Sequence, residues 1–117
     1  MKILLVEDDN AIAEVVTLIL EGEGHTVVKI LDEKRILTHV RASPPDLILM
    51  DLSLGGKNGE LLIKKLKNNS QTQLLPVIIT SASHDGAAAV KRTGADGFLL
   101  KPFEIEQLFK VVQKYQK

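Results

Sequence analysis

Five short apolar runs recur along the 117-residue chain: Ile3–Val6, Thr26–Ile30, Leu47–Met50, Leu75–Ile79 and Phe98–Leu100. Several are continuous rather than alternating, the pattern of strands covered on both faces. Between them apolar residues return with helical period. Ile12, Val15, Val16, Ile19 and Leu20 make one stripe, ended by Gly22 and Gly24. Ile105, Leu108, Phe109 and Val112 make the last, with Lys110 and Lys114 off the stripe. Shorter helices are expected around Ile36, Leu37 and Val40, around Leu61, Leu62 and Leu66, and, on the weakest signal, from Asp85 to Arg92.

Strand and helix thus alternate five times, which argues for a parallel sheet with helices on both faces. Right-handed crossovers leave few windings. The expectation is a three-layer α/β domain over residues 1–117, doubly wound in the flavodoxin-like manner, with five strands in the order 2-1-3-4-5 and five helices. In that winding the functional crevice opens at the carboxyl ends of strands 1 and 3.

Leu, Ile and Val supply 38 residues, whereas the four aromatics, Phe98, Phe103, Phe109 and Tyr115, all lie among the last 20 residues. The core is therefore aliphatic. No apolar run approaches the roughly 18 to 20 residues of a membrane span, and the first is too short for a signal peptide. With no cysteine, there is neither a disulfide framework nor a thiolate metal site. A cytoplasmic protein without a membrane partner is expected. The 15 basic and 15 acidic residues cancel, which argues against a nucleic-acid binder. The cancellation hides an asymmetry, because residues 1–60 carry net −5 and residues 61–117 net +5.

The residues just past each strand matter more than those within it. The first run leads into Glu7-Asp8-Asp9, the third into Asp51, the fourth into Thr80-Ser81-Ala82 and the fifth into Lys101-Pro102. Each has an ordinary explanation: helix capping for Asp9 and Asn10, a turn for Asp51, a local backbone bond for Ser81, solvent for Lys101. Four such accidents on one rim are less economical than one site. Glu7, Asp8 and Asp51 close together would repel, and a hard divalent cation such as Mg2+ resolves the repulsion. A carboxylate can accept a phosphoryl group, with a metal, a lysine and a hydroxyl around the transferring oxygens.

With these residues in view, the chain resembles the receiver domain of bacterial two-component response regulators over essentially its whole length. The resemblance rests on Leu5-Val6-Glu7-Asp8-Asp9, on Pro45 to Leu52, on Ser81-Ala82 and on Gly94 to Phe103. It implies that Asp51 accepts a phosphoryl group from a phosphohistidine, supplied by a sensor histidine kinase or a histidine phosphotransfer protein. It implies that Asp8, Asp51 and the backbone carbonyl of Ser53 ligate Mg2+, with Glu7 acting through a metal-bound water. Ser81 and Lys101 would contact the phosphoryl oxygens, with the Lys101-Pro102 bond cis, a geometry that X-Pro bonds tolerate. Ser81 and Phe98 would form the switch, rearranging a face made of the fourth helix, fifth strand and fifth helix that binds an effector or a second copy. Ser53 and Ser83 would tune slow hydrolysis of the product, making the chain a switch rather than a turnover enzyme.

Three departures from the family pattern carry expectations of their own. Gly55-Gly56 replaces a common proline and should loosen the loop after Asp51. Only 20 positions separate Ser81 from Lys101, so a couple of residues are missing in or around the fourth helix. Phe98 lacks the hydroxyl of the commoner tyrosine. Two other classes compete: a Mg2+-dependent phosphohydrolase with an aspartyl nucleophile, and a binding module that signals without phosphorylation. The first usually has a second acid two residues after the nucleophile, and Asp51 is followed by Leu52-Ser53. Nothing in the sequence motivates the second. His25, His39 and His84 show no metal-ligand spacing and are expected to be solvated or locally bonded, and Lys64, Lys65 and Lys67 to form a solvated face.

Overall fold

The computed structural model describes residues 1–52 and 58–116, the side chain of Asn58 excepted. Ten elements succeed one another: β1 (Lys2–Val6), α1 (Asn10–Gly22), β2 (Thr26–Lys29), α2 (Glu33–Ala42), β3 (Leu47–Asp51), α3 (Asn58–Lys67), β4 (Val77–Ser81), α4 (Gly86–Thr93), β5 (Gly97–Leu100) and α5 (Ile105–Tyr115). The strands form one parallel sheet in the order β2-β1-β3-β4-β5, as the sequence led us to expect.

Side chains on successive strand residues point to opposite faces, so a doubly covered strand needs an apolar residue at every position. Leu4, Val6, Ile48 and Met50 pack with Ile36, Val40, Ile63 and Leu66 of α2 and α3. Ile3, Leu5, Leu47 and Leu49 pack with Val16, Leu20, Leu108 and Val112 of α1 and α5. Each of these side chains stabilises the fold by about 1.5–3 kcal/mol through burial. All five residues of β3 and of β4 are buried.

The edge strands differ from the expectation of continuous cover. In β2 only Val27 is even half-buried, and Ile30 enters the core from beyond the strand's end. β4 begins two residues later than the apolar run suggests, because Pro76 has no N–H to give to a ladder. Its carbonyl instead accepts from Ile48 N–H at 2.9 Å. Ser81 is the last residue of β4, as Asp51 is of β3.

Helix starts reflect capping chemistry. Asp9 Oδ1 accepts from Ala11 and Ile12 N–H at 3.0 and 3.1 Å, and Asp32 accepts from Lys34 N–H. Glu104 and Gln107 close a reciprocal capping box on α5. Asn10, expected to cap, does not: its Oδ1 accepts from Lys29 Nζ at 2.7 Å and ties α1 to β2. α4 is the shortest of the five helices, eight residues long, where the short Ser81–Lys101 spacing placed the deficit. It ends on Gly94 at φ +83°, a left-handed turn that glycine adopts without strain.

Candidate functional site

Sheet register brings the site together. Val6 lies opposite Met50, Asp51 opposite Thr80 and Ser81 opposite Leu100, so the residues at these strand ends share one rim. Leu52 N–H donates to Thr80 O at 3.0 Å and Lys101 N–H to Ser81 O at 2.8 Å, which carries the ladder up to the rim itself.

Glu7 and Asp51 are buried, at 3% and 1% exposure, while Asp8 is open to solvent. Carboxylate oxygens of all three lie within 4.8 Å of one another. Lys101 Nζ stands 2.5 Å from Glu7 Oε1 and 3.2 Å from Asp51 Oδ2. Among the described residues, Lys101 thus pairs with two of the three acids. Burial pushes the Glu7 carboxyl up, and its hydrogen bond with Asp51 adds to this, against the opposing pull of Lys101 and of Asp9 N–H. Burial alone would lower the Lys101 ammonium, but the Glu7 hydrogen bond and the Asp51 charge outweigh it and leave it raised. Lys101 is firmly cationic, and the acids still exceed it. Oxygen donors so gathered fit a hard divalent cation.

Ser81 is buried and its Oγ accepts from Ser83 N–H at 3.0 Å, while Ser83 is exposed at the head of the turn into α4. The Lys101-Pro102 bond is cis, as expected. Phe98 is 37% exposed on the edge strand. Its ring rests on Gly86, the first residue of α4: a methyl group built there would fall 2.6 Å from Phe98 Cγ and Cε2. Ser53, and with it Gly55 and Gly56, lies outside the described residues. Beside the rim an apolar groove of about 480 Å³ runs between α1 and the turn into α5, lined by Ile12, Val15 and Ile19 on one side and Phe103 and Ile105 on the other, with Lys101 also in its lining.

The response regulator receiver domain family matches residues 3–113. The chain belongs to that family. Receiver domains are phosphorylation-activated signalling modules of two-component systems that bind Mg2+ at an acidic site. Over 109 residues the chain is 38% identical to the DNA-binding response regulator MtrA of Mycobacterium tuberculosis, covering 92% of this chain and 46% of MtrA. The chain spans about half the length of the curated relatives it matches. A putative response regulator from Chloroflexus aurantiacus superposes with a TM-score of 0.88 at 31% identity, covering 97% of this chain and 95% of that one. The response regulator Rcp1, in its Mn2+-bound form, superposes at 0.78 and 28% identity over 97% and 89% of the two chains. No helix of this receiver, among the described residues, is long and apolar enough to cross a membrane.

Three polar features of the receiver are not foreshadowed by its sequence. Lys67 is no solvated lysine: its side chain is 13% exposed, and Nζ donates to Asp96 at 2.7 Å and to the carbonyl of Leu75 at 2.8 Å. His25 is buried, and the amino group of Met1 donates to its Nδ1 at 3.0 Å. Arg92 of α4 makes a two-pronged contact with Glu60 of α3, at 3.1 and 3.0 Å. Met1 and His25 are 24 positions apart, Lys67 and Asp96 29, and Glu60 and Arg92 32, and no local spacing announces such pairs.

Proposed function

We propose that Asp51 is the phosphoacceptor of this receiver and that Glu7, Asp8, Ser81 and Lys101 serve the transfer. The observation that carries the reading is the charge arrangement: a buried Asp51 at a strand end, within reach of Lys101 and of two further acids. An Asp51 carboxylate oxygen attacks the phosphorus of a phosphohistidine. The P–N bond breaks, and the imidazole leaves with its electron pair and takes up a proton. Lys101 Nζ, already 3.2 Å from Asp51 Oδ2, is placed to neutralise an oxygen of the incoming phosphoryl group. Ser81 Oγ, one strand over, is the hydroxyl that turns toward the product.

Asp8, Asp51 and the Ser53 carbonyl would hold Mg2+, with Glu7 acting through a water, and the ion when bound supplies the remaining positive charge. The oxygen-only donor set and its excess of negative charge support this assignment. The donor, a histidine kinase or a histidine phosphotransfer protein, would dock on the groove formed by Ile12, Val15, Phe103 and Ile105. That groove is apolar and has Lys101 in its lining. Phosphorylation biases Ser81 and Phe98 toward a second arrangement of the α4–β5–α5 face, which binds an effector or a second copy. Ser83, and Ser53 by its sequence position two residues after Asp51, would tune the lifetime of the acyl phosphate. The receiver works in the cytoplasm, where kinase and phosphodonors are found.

Incubation with acetyl phosphate and Mg2+ tests the assignment. Mass spectrometry should show the gain of one phosphoryl group on wild type and none on Asp51→Asn. An unmodified wild type, or modification that survives the substitution, would overturn it.

A further inference from the structure

Ser81 and Phe98 are the expected switch, and the sequence is silent on what holds them in the resting position. A continuous chain of polar contacts leaves Ser81. Its Oγ accepts from Ser83 N–H at 3.0 Å; Ser83 Oγ donates to Asp85 Oδ1 at 3.1 Å and accepts from Asp85 N–H at 3.3 Å. Asp85 Oδ2 in turn accepts from Arg92 Nη2 at 3.4 Å. Arg92, one helix length further on, grips both oxygens of Glu60. Glu60 lies in the first turn of α3. The chain of contacts therefore runs from the end of β4 along the short α4 to α3.

Planar two-pronged contacts between guanidinium and carboxylate are the most directional of ion pairs. The contact also holds the Glu60 carboxyl below its usual range, through the hydrogen bond from Arg92 foremost. At the other end of the same helix Gly86 carries the Phe98 ring. Helix α4 is thus held from three sides: by Ser81 through Ser83 and Asp85, by Phe98 through Gly86, and by Glu60 through Arg92.

We infer that the Glu60–Arg92–Asp85 cluster is a latch that holds α4 and Phe98 in the resting arrangement, and that phosphorylation of Asp51 works against it. The inference rests on the assignment of Asp51 as phosphoacceptor and of Ser81 as the hydroxyl that turns toward it. When Ser81 Oγ turns, Ser83 N–H must move with it or lose its acceptor. When Ser83 follows, Asp85, bonded to its hydroxyl, shifts relative to Arg92 and the latch is strained. Contacts present in only one of two states stabilise that state alone, so weakening them shifts the population toward the other.

Glu60→Gln and Arg92→Gln should each raise the population of the phosphorylated-like arrangement about two- to fivefold, the range set by a partly exposed ion pair. The readout is the Phe98 ring signal in NMR, monitored in the unphosphorylated protein and in an Asp51→Asn background. The rate of phosphorylation by acetyl phosphate should rise by a similar factor. Arg92→Lys, which keeps a cation facing both Glu60 and Asp85, should leave both readouts nearer wild type than Arg92→Gln does, which separates a latch from a general loss of stability. Lower stability with an unmoved Phe98 signal, or a lysine variant as far shifted as the glutamine one, would overturn the latch. Because the ring signal in the Asp51→Asn background needs no phosphorylation, failure of the phosphoacceptor assignment would show in the mass-spectrometric test and leave this readout standing.

Discussion

Two lysines sit at opposite ends of the same sheet in nearly the same degree of burial, with side chains 14% and 13% exposed. Lys101, past the carboxyl end of β5, faces Glu7 and Asp51, with Asp8 alongside. Lys67, at the opposite end, faces one carboxylate, Asp96, and the carbonyls of Gln73 and Leu75. Asp96 is itself shared with Val77 N–H at 2.8 Å. Charge balances at the Lys67 end and not at the Lys101 end. A balanced cluster holds loops together, while a surplus of acids leaves a site that gains when a cation and a phosphoryl group arrive. The difference agrees with the proposal that the Lys101 rim carries the chemistry, while the Lys67 end is scaffold.

Substitution at each end breaks or keeps that contrast. Asp96→Ala removes the acceptor of both Val77 N–H and Lys67 and leaves a poorly exposed ammonium facing only carbonyls. We expect a loss of about 2 kcal/mol in urea unfolding, with phosphorylation by acetyl phosphate changed less than about twofold, the scatter usual for a remote change. Asp51→Asn should do the reverse: no phosphorylation, and stability no lower than wild type, because one of three crowded carboxylates is made neutral. If the two variants lost similar stability, the contrast between a scaffold end and a reactive end would fail.

The cation sharpens the same contrast at a smaller scale. A Mg2+ concentration tenfold above its dissociation constant should stabilise the wild type by about 1.4 kcal/mol and shift its thermal midpoint upward. Asp51→Asn should show little of this shift and Asp96→Ala all of it. An equal shift in all three would place the cation away from the acidic rim.

The reactive end was legible in the sequence because parallel strands in register deliver their last residues to one edge, whatever lies between. Once the apolar runs around Leu5, Leu49, Ile79 and Leu99 are taken as neighbouring strands, Glu7, Asp51, Ser81 and Lys101 must meet. The scaffold end was not legible. Lys67 and Asp96 lie 29 positions apart, one in a lysine-rich helix that looks solvated and one in a turn. Only the packing of α3 beside α4 and the turn that follows it joins them. The seat of Phe98 on Gly86 was hidden likewise, because a glycine signals the absence of a side chain and not what fills the space. Strand-end chemistry is a property of order along the chain, whereas cross-element pairs are a property of packing.

The smallest effect belongs to His25, which shares the scaffold end with Lys67. Burial first, and then the Met1 ammonium, lower its pKa below the usual histidine value near 6.5; Glu23 opposes them weakly. With Met1 donating to Nδ1, the imidazole must be neutral and carry its hydrogen on Nε2. The folded state therefore binds a proton less readily than the unfolded chain, so stability is full above about pH 6.5 and declines as pH falls through that value. His25→Gln cannot titrate, and it should remove part of the decline between about pH 7.5 and pH 5.5 when urea midpoints of the two proteins are compared. The same comparison read on Mg2+ binding should show no difference, because the reactive rim lies at the far end of the sheet. A wild type and variant that decline in parallel would mean that His25 takes up a proton as readily folded as unfolded, and that the Met1 contact does not exclude it.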